Sequence, residues 1–180
     1  MSPDTSSFLV PDIVVSHFHI KEGDVIADFG SGSGHFLRTL SKRVGSGKVY
    51  ACEIQKALVE KISTYVHAEQ LLNIYPLWCD LEEVNGLKIT TDSVDIGILV
   101  NTLFQIEDKE TAIEEMSRTI HVGGRLIVID WTDSFKGLGP TPDHVVTEAE
   151  ATALCESLGF VLEQAFPAGG HHYGLVFRKI

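Results

Sequence analysis

Short runs of aliphatic and β-branched residues alternate along this chain with stretches whose apolar positions recur at helical spacing. The runs at 25–29, 48–53, 74–79, 94–101 and 125–130 are near-continuously apolar, which predicts strands covered on both faces. Two more strands are predicted at 160–166 and 173–179. Helices are predicted between them, at 11–18, 35–44, 55–71 and 109–120. Pro11 sits early in the first turn of the leading helix, where a missing N–H costs nothing. In HVGGR the glycines are placed to stop the fourth helix. Thr147 and Glu150 form a capping box ahead of the apolar stripe Ala151, Leu154, Cys155 and Leu158, and Gly159 supplies the stop. This alternation predicts an α/β fold with a largely parallel sheet. Only residues 167–172 separate the last two strands, too few for a right-handed crossover, so they pair as an antiparallel hairpin.

Composition narrows the class. One domain is the default for 180 residues, spanning 1–180, with the polar residues 1–7 expected to be disordered. A hydrophobic fraction of 44% supports a core despite a formal net charge of −11. That charge disfavours nucleic acid and anionic lipid as partners. No apolar run is long enough to cross a bilayer, and the N-terminus lacks the basic and apolar regions of a secretory signal. Cys52, Cys79 and Cys155 are odd in number and unclustered, which argues against disulfides and a zinc knuckle, so no metal site is expected. A cytoplasmic location is the expectation that follows.

The chemistry is concentrated in VIADFGSGSGHF, residues 25–36. A buried strand runs into Gly30, Gly32 and Gly34 and a helix follows at once, a turn that lets backbone approach a ligand closely. The dinucleotide fingerprint is G-x-G-x-x-G; here the spacing is G-x-G-x-G, with His35 at the position of the last glycine. Asp28, at the strand end, repels a pyrophosphate and favours an ammonium or sulfonium. Glu53, nineteen residues after Gly34 at the next strand tip, is placed to accept both hydroxyls of a ribose. Asp80 ends the third strand and is placed to accept from an exocyclic amine, with Leu81 against a flat ring.

These residues resemble the motifs of the class I S-adenosylmethionine (SAM)-dependent methyltransferases, and most of all the small single-domain enzymes similar to the ubiquinone/menaquinone-biosynthesis C-methyltransferases. DFGSGSG matches the first motif, Glu53 the ribose-binding acid and CDL at 79–81 the adenine-binding acid. SVDIGILVNTLFQ at 93–105 matches the fourth-strand motif, and HVGGRLIVIDW at 121–131 the approach to the fifth strand. The resemblance implies a three-layer Rossmann-like sandwich with a seven-stranded, mostly parallel sheet of order 3-2-1-4-5-7-6, strand 7 antiparallel. It implies SAM as cofactor. Gly30, Ser31 and Gly32 would line its amino-acid part with backbone groups, and Asp28 would act near the ammonium. Glu53 would hold the ribose, Ile54, Asp80 and Leu81 would frame the adenine, and Asn101 would close the crevice below the sulfonium.

On the acceptor side, loops at the C-terminal ends of the parallel strands carry Trp131, His144, His171 and His172. These are the candidate substrate residues, the histidines having suitable unperturbed pKa values for proton acceptance. Residues 101–104 read NTLF, so the signature of DNA amino-group methylases is absent, as is the cysteine arrangement of arsenic methylation. The expected function is methyl transfer to a small-molecule acceptor. A non-catalytic SAM-binding sensor and an NAD-dependent dehydrogenase are the alternatives. Trp78 is expected in the core, and the acidic run 107–110 at a helix N-terminus.

Overall fold

The computed structural model describes residues 9–135 and 137–180; the expectation for residues 1–7 lies outside them. The strands are β1 (Val25–Phe29), β2 (Lys48–Glu53), β3 (Ile74–Trp78), β4 (Val94–Val100), β5 (Ile120–Trp131), β6 (Phe160–Gly169) and β7 (His172–Lys179). They form one sheet of order β3-β2-β1-β4-β5-β7-β6. Strands β1 to β5 pair in parallel, and β7 runs antiparallel to both β5 and β6. The fold class and the reversed strand are as the sequence predicts.

Helices α1 (Pro11–Val15), α2 (Leu37–Val44), α3 (Lys56–Ala68), α4 (Lys109–Thr119) and α5 (Glu148–Ser157) cover the two faces. One core lies between the sheet and α4 and α5, where Ile113, Met116, Ala151 and Cys155 meet Phe29, Leu99 and Val128. The other lies under α1, α2 and α3, where Val14, Leu37, Leu40 and Ile62 meet Ile26, Ile98 and Ile129. β1 contributes to both, Ile26 to one and Ala27 and Phe29 to the other, as a doubly covered strand must. The capping box on α5 forms as read, with Thr147 and Glu150 bonding each other's backbone amides. Asp108 caps α4 by accepting from the Thr111 amide.

Three boundaries differ from the sequence reading, each for a local reason. The leading helix divides into α1 and a 3-10 turn, Ser16–Phe18, ended by His19 at φ 53°. The second helix begins at Leu37 and not His35, because the glycine turn continues through Phe36. The glycines of HVGGR do not stop α4. Ile120 is already extended, and the pair register jumps from Val94↔Ile120 to Ile96↔Arg125, so Gly123, at φ 85°, sits in a bulge of β5.

Candidate functional site

The strand order reverses between β1 and β4, and a crevice opens there above the C-terminal strand ends. It holds a cavity of about 460 Å³, within the ordinary range for a small-molecule site. It is walled by the turn after β1 as far as Phe36, the ends of β2 and β3 with the residues after them, Leu58 of α3, the turn after β4, and Leu9. Among the candidate cofactor residues, Asp28, Gly30, Ser31, Gly32, Glu53, Ile54, Asp80, Leu81 and Asn101 all line it.

Gly34 does not line it. A Cβ there would stand 2.9 Å from the Leu37 side chain, so this glycine lets α2 close onto the turn. Gly30 has a comparable duty toward β4: a Cβ would lie 2.7 Å from Oγ1 of Thr102. Its φ of 84° is in any case open mainly to glycine. At Gly32 a Cβ would meet nothing within 4 Å, so the space beside it belongs to the cavity.

The amides of Gly30, Ser31 and Gly32 bond within the protein, which differs from the expectation of backbone N–H groups approaching a ligand at these positions. The Gly30 and Ser31 amides both donate to the Cys52 carbonyl, at 2.9 and 2.8 Å. The Gly32 amide donates to Oε2 of Glu53 at 2.9 Å, and Oε1 of the same carboxylate accepts from the Gln55 amide. Glu53 is thereby fixed across the turn while it is 7% exposed. Three consecutive amides of the turn are thus engaged within the protein.

Charge points the same way. Among the described residues, those lining the cavity include the acids Asp28, Glu53, Asp80 and Glu82 and no Lys or Arg. Asp28 is 3% exposed. Burial pushes its pKa up to about 7, the Ser31 hydroxyl pulls it down, and the Glu53 charge adds to the rise. Asp80 turns its own chain by accepting from the Glu82 amide at 3.0 Å. Asn101 adopts a left-handed φ of 52°, which asparagine tolerates better than most residues. Its Oδ1 is buried with no hydrogen-bond partner among the described residues, and such an acceptor is costly unless a ligand satisfies it.

None of Trp131, His144, His171 and His172 lines this cavity. Trp131 and His172 face each other across β5 and β7, so both stand on the rim where the parallel strands end. Their rings lie 4.2 Å apart. Loop residue Gly139 comes so close over the Trp131 indole that a Cβ would be 2.4 Å from it. His171 meets the Asp133 carboxylate at 2.7 Å and stacks on Phe135. His144 is exposed and shares a 2.7 Å hydrogen bond with the Thr141 hydroxyl, within its own 3-10 turn. The rim thus gathers Trp131, His171 and His172, while His144 keeps to its own loop.

The structure also brings in residues that the motif reading passes over. Thr102 and Gln105 line the cavity, and the Gln105 amide donates to the Asn101 carbonyl at 2.7 Å. Both stood in the matched segment NTLFQ. Trp78, expected in the core, is 41% exposed and its indole N–H donates to the Ile54 carbonyl at 2.7 Å. Cys52 and Cys79 also line the cavity; both are free and buried.

Comparison with known proteins agrees with this architecture. The methyltransferase domain family profile matches residues 27–128. The ubiquinone/menaquinone biosynthesis C-methyltransferase of Legionella pneumophila (strain Corby) is 30% identical over 131 residues, covering 69% of this chain and 50% of that protein. Its counterpart from Neisseria meningitidis serogroup C is 29% identical over 124 residues, covering 67% and 48%. The chain spans about half the length of these curated relatives. A crystal structure of a SAM-dependent methyltransferase from Aquifex aeolicus superposes with a TM-score of 0.89 at 27% identity, over 99% of this chain and 94% of that one. A geranyl diphosphate methyltransferase in complex with SAM shares the fold, with a TM-score of 0.79 at 12% identity, over 94% and 84%. With its reversed seventh strand, its acid-lined crevice and these likenesses, the chain belongs to the class I SAM-dependent methyltransferases.

Proposed function

We propose that the chain binds SAM in the crevice between β1 and β4 and directs its methyl group to a small-molecule acceptor. The observation that carries this reading is the lining itself: four carboxylates, no Lys or Arg among the described residues, and the Gly30, Ser31 and Gly32 amides already bonded to the protein. A cationic sulfonium nucleoside fits such a wall, and a pyrophosphate does not. Asp28 and the unpartnered Oδ1 of Asn101 face the ammonium and sulfonium end. Glu53 takes the ribose hydroxyls without moving, since its two amide bonds already hold it. Ile54 and Leu81 flank the adenine, and Asp80 accepts from its amino group.

SAM supplies an electrophilic methyl group on a good leaving group. The protein's task is therefore alignment and exclusion of water. Leu9, Phe36, Val100 and Ile106 give the cavity its apolar walls. No imidazole other than His35 lines it, so the acceptor enters as a nucleophile needing little help from a base, or meets the rim histidines His171 and His172 in passing. Three buried free thiols fit a reducing, cytoplasmic setting. Among the described residues no helix is long and apolar enough to cross a membrane. The acidic lining and net charge fit an acceptor other than nucleic acid.

Calorimetric titration with S-adenosylhomocysteine (SAH), SAM and NAD tests the proposal. SAM and SAH are expected to bind one to one and NAD not at all; NAD binding with neither SAM nor SAH would reverse it. Release of SAH in the presence of candidate acceptors then separates an enzyme from a sensor.

A further inference from the structure

Asp130, near the end of β5, is 1% exposed and forms no salt bridge among the described residues. Its Oδ1 accepts the Trp131 amide at 2.8 Å and its Oδ2 the Phe104 amide at 3.1 Å. Leu103 and Phe104 open the 3-10 turn Leu103–Gln105 that follows β4. A single carboxylate thus reaches from one strand to the turn of its neighbour.

That turn is one wall of the crevice. It presents Asn101, which has a left-handed backbone and a buried Oδ1 with no hydrogen-bond partner among the described residues. It also presents Thr102, whose hydroxyl and methyl press on Gly30 across the crevice floor. The two strand-end turns that hold a ligand are therefore in contact, and the second is held from behind by Asp130. Further ties are the Asn101 amide to the Ile129 carbonyl and the Gln105 side chain to the Asn101 carbonyl.

We propose that Asp130 is a positioning residue for the cofactor: its carboxylate fixes the turn at 101–105 and, through Asn101 and Thr102, the shape of the sulfonium end of the crevice. The inference rests on the SAM-binding reading for its functional half only. A neutral residue would suit the fold better at this depth. Burial pushes the Asp130 pKa up to about 6 in spite of the amides that face it and the more distant Lys109. Tyr173, opposite it in β7, is the other titratable group facing it. Glu115 is the contrast. It is 4% exposed but paired with Arg118 at 2.9 Å, so its charge supports α4 and reaches no ligand wall.

The test compares Asp130→Asn with Glu115→Gln in the full chain at pH 8. Hydrogen exchange without ligand is expected to quicken about tenfold or more at the amides of 102–106 in Asp130→Asn and to stay unchanged there in Glu115→Gln. SAH binding is expected to weaken about five- to tenfold in Asp130→Asn, while its melting temperature holds or rises. Glu115→Gln should show the reverse, a lower melting temperature with a dissociation constant within about twofold of the original. Unchanged exchange at 102–106, or an unchanged SAH affinity in Asp130→Asn, overturns the proposal. If the unsubstituted chain binds neither SAM nor SAH while exchange still quickens, the carboxylate's hold on the turn stands and the functional reading falls.

Discussion

Burial holds Asp28 half-protonated near neutrality, and this gives one residue two opposed duties. Its carboxyl titrates at about 7 in the fold against about 3.9 in an unfolded chain. A raised acid favours folding while it is protonated, so its contribution is full below pH 4 and is lost as pH rises through 7. At pH 8 the buried charge opposes folding by up to about 4 kcal/mol, a shift of about three units converted. The same charge is what attracts a cation. Asp28→Asn should therefore match the original in urea unfolding at pH 4, exceed it by a few kcal/mol at pH 8, and bind SAH at least tenfold more weakly. A variant no more stable at pH 8 than at pH 4 would mean the carboxylate is better solvated than its burial implies. Glu53 differs because it is already bonded to two amides. Glu53→Ala should cost about 1.5–3 kcal/mol of SAH affinity, the range for hydrogen bonds to a charged group. A calorimetric dissociation constant that does not move would remove it from the ribose site.

At the level of elements, the loop joining β2 to α3 depends on β3 through one bond, that from the Trp78 indole to the Ile54 carbonyl. Lys56 and Lys88 also lie over the ring, at 5.3 and 5.2 Å. Trp78→Phe keeps an aromatic face for them and removes only the donor. SAH affinity should fall about two- to tenfold, the equivalent of one neutral hydrogen bond, with stability little changed; an unaltered affinity would show that the loop needs no such tie. The sequence pattern placed Trp78 in a strand and could not say which way an edge strand turns its ring. The same distinction runs through the molecule. Strand positions, the capping box and the final hairpin are legible because local spacing and loop length determine them, whereas the strand order is implied by the family resemblance alone. The acids Asp28, Glu53 and Asp80 were readable as strand tips. The HVGG glycines were misread because a helix stop and a β-bulge require the same positive φ. The direction of the turn amides, the press of Thr102 on Gly30 and the reach of Asp130 were not readable. Each is a contact between elements far apart in sequence, and a pattern along one segment carries no record of it.

For the molecule as a whole, charge decides how a ligand arrives. The chain carries a net −11, and its crevice concentrates four of those acids around one cavity. A cleft of one sign with low-dielectric walls focuses its field outward and raises the encounter rate of an oppositely charged ligand. SAM, with its sulfonium, carries one positive charge more than SAH, which is a neutral zwitterion. The two ligands differ only in the S-methyl group and the charge it carries, so the salt dependence of their difference isolates the field. Stopped-flow fluorescence can follow both, with Trp78 beside the Ile54 loop as the reporter. Raising salt from about 20 mM to about 500 mM shortens the screening length several-fold. The association rate of SAM should fall several-fold over that range and that of SAH by less than about twofold. Asp80→Asn together with Glu82→Gln, which removes two charges on the cavity wall, should flatten the salt dependence for SAM and leave that for SAH as it was. Equal salt dependence for the two ligands would mean that the carboxylates act only after contact, by hydrogen bonding, and that the acidic lining selects SAM by fit and not by attraction.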